Sequence, residues 1–198
     1  MELDKDYKQD CEAALILCSL TYVEVDQKTA EDMEKQRYEA IHATPVDHQL
    51  RRWLPPVPSV THRIGECSRV ISKQLEGSDV KNSQARLALK KEYVEKEFKP
   101  MLNSNESMSD GIDVIVYDSH GNRYENMRFK LWGIKMYVFT RQWKQFSEDY
   151  KLISKKDSVK VWMFRDKYTR KMCSVIIPIL DHTVSIAERI NIRSALNK

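Results

Sequence analysis

The segment Met127-Arg-Phe-Lys-Leu-Trp-Gly-Ile-Lys-Met-Tyr-Val-Phe-Thr-Arg-Gln-Trp-Lys-Gln-Phe146, followed by Asp157-Ser-Val-Lys-Val-Trp-Met-Phe-Arg165, carries the pattern that decides the fold. Aromatic and β-branched residues gather there in short runs of strand character. Gly133 interrupts them where a tight connection is needed. Arg128, Lys130, Lys135, Arg141 and Lys144 are spread among the aromatics. A β-surface whose loop carries cations and aromatics together suits a polyanion with flat bases. A solvated hairpin with ordinary surface lysines would give the same pattern.

Working outward, short strands recur on both sides. Val70–Leu75 and Arg86–Leu89 precede the segment, and in Gly111–Asp118 the residues Ile112, Val114 and Val116 alternate with their neighbours. Asp118-Ser-His-Gly-Asn122 is a hairpin connection leading into Tyr124–Leu131 and Lys135–Thr140. Ser158–Arg165 and Lys171–Ile177 form a last hairpin. Lys91–Lys99 reads as a helix ended by Pro100, and Trp143, Phe146 and Tyr150 share one face of a second. Seven short strands, two short helices and no long crossover predict a mainly β protein, an antiparallel barrel or sandwich. Trp143, Phe146, Trp162 and Phe164 are core candidates. Residues from Asp181 onward form a tail that can end in a helix.

Residues 1–67 differ in kind. Helices are expected over Cys11–Leu20 and Ala30–Ala40, and Leu54-Pro-Pro-Val-Pro58 is a stiff connector with a boundary between Pro55 and Glu66. The predicted organisation is an acidic extension at 1–67, a β domain at 68–178 and a tail at 179–198. Charge supports that division. Residues 1–68 hold 8 basic and 13 acidic side chains, whereas 69–179 hold 22 and 14, net +8 against +4 for the 198-residue chain. A basic excess in one block is the footprint of an anionic partner.

Composition excludes several classes. No apolar run approaches the roughly 18 residues of a membrane span, and acids precede Ala13–Cys18 where a signal peptide would be basic. A protein made and kept inside the cell is expected. Cys11, Cys18, Cys67 and Cys173 make no Cys-x-x-Cys pair, and the five histidines are scattered, so no metal site is expected. Asp149-Tyr-Lys151 has the Asp-x-Lys form of a metal-dependent nuclease, with Asp118 as the conceivable partner, but it lies at the end of an expected helix. No catalytic residue, cofactor or small-molecule substrate is predicted.

The order of the motifs resembles the plant B3 DNA-binding domain. Lys73-Gln-Leu-Glu-Gly-Ser-Asp-Val-Lys-Asn-Ser-Gln-Ala-Arg-Leu-Ala-Leu-Lys-Lys91 is similar to that domain's opening. Met127–Lys130, Tyr137–Thr140, Trp143 with Phe146, Leu152, Asp157–Val159 and Trp162–Phe164 follow the family's order, so the likeness covers about residues 68–178. Within the family the chain looks most like divergent members that carry one B3 domain and little else. The resemblance implies a seven-stranded open pseudobarrel with two short helices, gripping the DNA major groove with two arms, in a transcription regulator of the nucleus. By position the first arm is Lys81, Asn82, Ser83 and Gln84, backed by Arg86, Lys90 and Lys91. The second runs from Lys130 to Tyr137, with Trp132, Gly133, Ile134 and Lys135 at its tip. Asn and Gln suit adenine edges and Arg or Lys suits guanine, while flanking lysines neutralise phosphates.

Departures from the family pattern narrow what the resemblance implies. Lys90 stands where the family has proline, and Lys156 where it has glycine. The second arm is short and offers Gly-Ile-Lys-Met in place of a polar tip. Double-stranded DNA is the expected partner, read selectively or with little selectivity. A barrel that no longer reads bases and binds proteins, with the acidic extension as a further protein-binding part, is the alternative.

Overall fold

A computed structural model describes residues 53–81 and 83–196, which belong to one compact unit, Leu50–Lys198. The expected helices at Cys11–Leu20 and Ala30–Ala40, Cys11 and Cys18 themselves, and Asn82 lie outside the described residues.

Eight strands form one sheet: β1 Ile64–Cys67, β2 Ile71–Gln74, β3 Leu87–Lys90, β4 Ile112–Tyr117, β5 Arg123–Trp132, β6 Met136–Arg141, β7 Ser158–Asp166 and β8 Met172–Ile179. Their order is β1-β7-β8-β4-β5-β6-β3, with β2 also pairing β7. All pairings are antiparallel except β4 with β8. The seven expected strands are present with small boundary shifts, and the fold is the expected open pseudobarrel. The eighth, β1, draws Ile64–Cys67 out of the expected N-terminal extension into the sheet. Gly65 permits this, because a Cβ there would sit 2.8 Å from the Arg165 carbonyl oxygen.

Alternation explains the core. Val114 and Val116 of β4, Met127 and Phe129 of β5 and Phe139 of β6 point inward with Leu87 and Leu89 of β3. Phe129 stacks on Tyr137 and meets Phe139 at a ring separation of 4.5 Å. The helices are α1 Pro58–Thr61, α2 Gly77–Val80, α3 Lys91–Glu97, α4 Trp143–Asp149 and α5 Ile186–Leu196. Helix α4 buries Trp143 and Phe146 against the same core. Strand β7 is buried on both faces: Val159, Val161 and Met163 join the main core, while Trp162 and Phe164 join Val57, Val60 and Tyr117 in a second cluster. Burial pushes the Cys67 and Cys173 thiols up to about 12, so neither is a reactive thiolate.

The sheet stays open between β2 and β3, which are consecutive in the chain and unpaired with each other. One buried carboxylate stitches this seam. Asp79 accepts the Ala88 N–H of β3 at 3.0 Å and the Glu76 N–H at 2.7 Å, and it pairs with the Lys73 amine of β2 at 3.0 Å.

Candidate nucleic-acid interface

The first arm is the connection across the open seam. Its root is α2, a single turn with a capping box between Glu76 and Asp79. A turn this short is not stable alone. It is held from outside by the indole N–H of Trp143, which donates to the Asp79 carbonyl at 2.6 Å. The Lys81 N–H closes the turn on Gly77, and Gln84 N–H returns to the Lys81 carbonyl at 2.9 Å. Lys81, Ser83 and Gln84 are exposed along this bend.

The second arm is the β5–β6 hairpin. Its register ends at Trp132 opposite Met136, leaving Gly133, Ile134 and Lys135 as the connection. Gly133 has φ +62, in the left-handed region where glycine pays no steric penalty. Ile134 is 80% exposed at the tip, between exposed Gly133 and Lys135.

The two arms meet. The Arg86 guanidinium, at the end of the first arm, lies 5.2 Å from the centre of the Trp132 ring, and the Lys130 amine lies 5.1 Å from it. Two cations thus bracket an indole that is 44% exposed. Lys91 N–H donates to the Lys135 carbonyl at 3.1 Å, and Lys90 stands opposite Met136 in the β3–β6 pair. An open groove of about 760 Å³ lies between the second arm and the root of the first, lined by Ser78, Lys90, Lys91, Ile134 and Lys135 among others. Glu76, Glu92 and Glu95 line it too.

Ion pairing sorts the cations. Arg128 and Arg141 both bind Asp113 at 3.0 Å, and Lys91 lies 3.8 Å from Glu95. Among the described residues, Lys81, Arg86, Lys90, Lys130 and Lys135 enter no ion pair. The structure therefore brings together Arg86, Lys90, Lys91, Lys130, Trp132, Ile134 and Lys135, with Lys81, Ser83 and Gln84 on the adjoining bend. Sequence reasoning missed Lys73 and Ser78 as groove residues and included Met136 in the second arm.

The nuclease-like carboxylates are occupied structurally. Asp149 accepts the Tyr124 hydroxyl at 2.8 Å, and Asp118 holds the β4–β5 connection through the N–H groups of His120 and Asn122. Among the described residues, no group of three His, Cys, Asp or Glu could hold a metal ion.

An open eight-stranded pseudobarrel with two cation-bearing loops beside one groove is the class of protein that fold and site define. The family model of the B3 domain-containing protein At2g31720-like proteins matches residues 46–177, and the chain belongs to that family. It is 48% identical over 110 residues to the B3 domain-containing protein At4g03170 of Arabidopsis thaliana, covering 55% of this chain and 44% of that protein. It is 44% identical over 93 residues to the B3 domain-containing protein At1g20600 of the same plant, covering 46% and 39%. The chain thus spans about half the length of the curated relatives it matches. The solved Arabidopsis FUS3-DNA complex is similar over 54% of this chain and 93% of that one, at 23% identity and a TM-score of 0.39.

Proposed function

We propose that this protein binds double-stranded DNA with its two cation-bearing arms, and acts as a transcription regulator in the nucleus. The observation that carries this is the meeting of the arms at Trp132, bracketed by Arg86 and Lys130, with lysines nearby that enter no ion pair among the described residues. Cations without protein partners are what a phosphate backbone requires, because each phosphate neutralised releases counterions. Lys81, Lys90, Lys91, Lys130 and Lys135 take the phosphates and fix the register. Asn82, Ser83, Gln84 and Arg86 face base edges in the major groove, where Asn and Gln suit adenine and Arg suits guanine. Gly133 lets the second arm approach closely, and Ile134 offers an apolar contact.

Membership in the B3 domain-containing family supports the same reading. A salt titration with random-sequence duplexes tests it. The log–log slope is expected near −0.9 for each phosphate contacted. Lys81→Ala is expected to lessen that slope by about one contact while weakening binding to all sequences alike. No duplex binding at low salt would exclude the reading.

A protein-interaction role has one specific observation in its favour. The second arm ends in Ile134 with Trp132 and Met136 beside it, all exposed, and three glutamates line the groove. In that case neither Lys81→Ala nor salt would act through phosphate contacts, so the same titration separates the two.

A further inference from the structure

Helix α5, Ile186–Leu196, lies beyond the residues that the family model matches. Its amphipathic pattern is inverted. Arg189 and Arg193, one turn apart, are buried, whereas Ile186 is 75% exposed and Ile190 and Ile192 are exposed as well. The arginines therefore hold the helix in place.

Arg189 anchors it to the body of the fold. Its guanidinium makes a two-pronged pair with Asp157 at 2.6 and 3.0 Å and reaches the Asp181 carbonyl at 2.6 Å. Arg193 has a different target. Its Nη1 donates to the Val80 carbonyl at 2.7 Å and, at the limit of reach, to the Leu152 carbonyl at 3.5 Å. Val80 is the last residue of α2, and Lys81–Gln84 follow it directly. The end of a helix leaves carbonyls without partners inside the helix. Here the Asp79 carbonyl goes to Trp143 and the Val80 carbonyl to Arg193.

The choice of arginine is informative. Among the described residues Arg193 enters no ion pair, and its Nη2 has no hydrogen-bond partner. Burying a guanidinium under those conditions is costly, and a neutral aliphatic chain would pack there at lower cost. What a neutral chain lacks is the donor to Val80.

We infer that Arg193 is a positioning residue for the first arm: α5 fixes the departure of Lys81–Gln84 by capturing the last carbonyl of α2. The functional consequence rests on the proposed DNA binding, but the geometry does not. A hydrogen bond from a charged donor slows local opening by about tenfold to a hundredfold.

Amide hydrogen exchange on the full chain, free of DNA, tests the inference. Arg193→Met is expected to raise exchange across residues 78–85 by about tenfold or more, with β7 and β8 unchanged. Arg193→Lys, which keeps a donor, is expected to restore most of the protection. Unchanged exchange at 78–85 in Arg193→Met overturns the inference. So does loss of protection throughout the fold in both variants, because α5 would then brace the whole domain. A binding cycle supplies the second arm of the test. In the Arg193→Met background, Lys81→Ala is expected to lose its effect on the salt slope; a full effect there overturns the inference. If the wild-type chain binds no duplex, the DNA reading fails and the exchange result still decides the role of Arg193.

Discussion

Arg165 and Asp157 show how an ionic side chain deep in this fold is held by several partners at once. The Arg165 guanidinium, 3% exposed, takes both Glu106 oxygens at 2.8 and 2.6 Å together with the Met101 and Arg170 carbonyls. Asp157 accepts the Ile153 and Asp181 N–H groups in addition to Arg189, so all its capacity is taken inside the core. Burying an ion is tolerable only when its partners replace the lost water. The Arg165 hydrogen bonds hold the Glu106 carboxyl below its ordinary range, outweighing the opposing effect of burial, with the Asn103 N–H and the Arg165 charge adding to them. A carboxyl depressed on folding stabilises the protein fully above its unfolded value and loses that contribution as pH falls through the folded one. Glu106→Gln is therefore expected to be less stable at neutral pH, on the order of 1–2 kcal/mol. In urea titrations the gap should persist down to about pH 5 and close towards about pH 3. A gap that does not change with pH would show that the ionised pair is not what Glu106 contributes.

Among the elements, the second arm is defined by its backbone. The β5–β6 ladder runs in unbroken register from Met127 opposite Arg141 to Trp132 opposite Met136. At Gly133 a Cβ would meet nothing within 4 Å, so a substitution there is opposed only by the positive φ. Gly133→Ala is expected to cost about 1 kcal/mol, with Gly133→Asn costing less because Asn tolerates that region better. Thermal unfolding of the two variants checks the order, and equal melting temperatures would show that the turn relaxes. This hairpin was legible in the sequence because half-buried strands alternate and glycine marks the turn. Helix α2 and strand β1 were not. Gly-Ser-Asp-Val has no periodicity over one turn, and what makes it helical is the capping carboxylate of its own Asp79 together with Trp143 and Arg193, brought from distant parts of the chain. Strand β1 pairs β7 through an irregular register, with Ile64 opposite Asp166 and Cys67 opposite Phe164. At the site, the lysines could be read as exposed, but the bracketing of Trp132 by Arg86 depends on strand order across β3, β6 and β5.

For the molecule as a whole, the acidic excess lies in residues 1–49 and the basic excess in residues 50–198. Residues 1–49 carry 5 basic and 12 acidic side chains, so residues 50–198 alone carry +11 where the full chain carries +4. The field that draws a polyanion towards a protein depends on this total as well as on local contacts. If DNA is the ligand, the fragment 50–198 is expected to bind duplex about fivefold more tightly than the full chain at low salt. The difference should fade as the Debye length falls to about 8 Å near 0.15 M, since it comes from charges making no contact. Short-range arm contacts are less screened, so Lys81→Ala should have the same effect in both forms. A cooperative unfolding transition for the fragment would first establish that this compact unit stands alone. Equal affinities at every salt concentration would show that the acidic residues exert no field at the groove. Tighter binding by the full chain would show that they supply contacts of their own, and the extension would then belong to the DNA-binding apparatus.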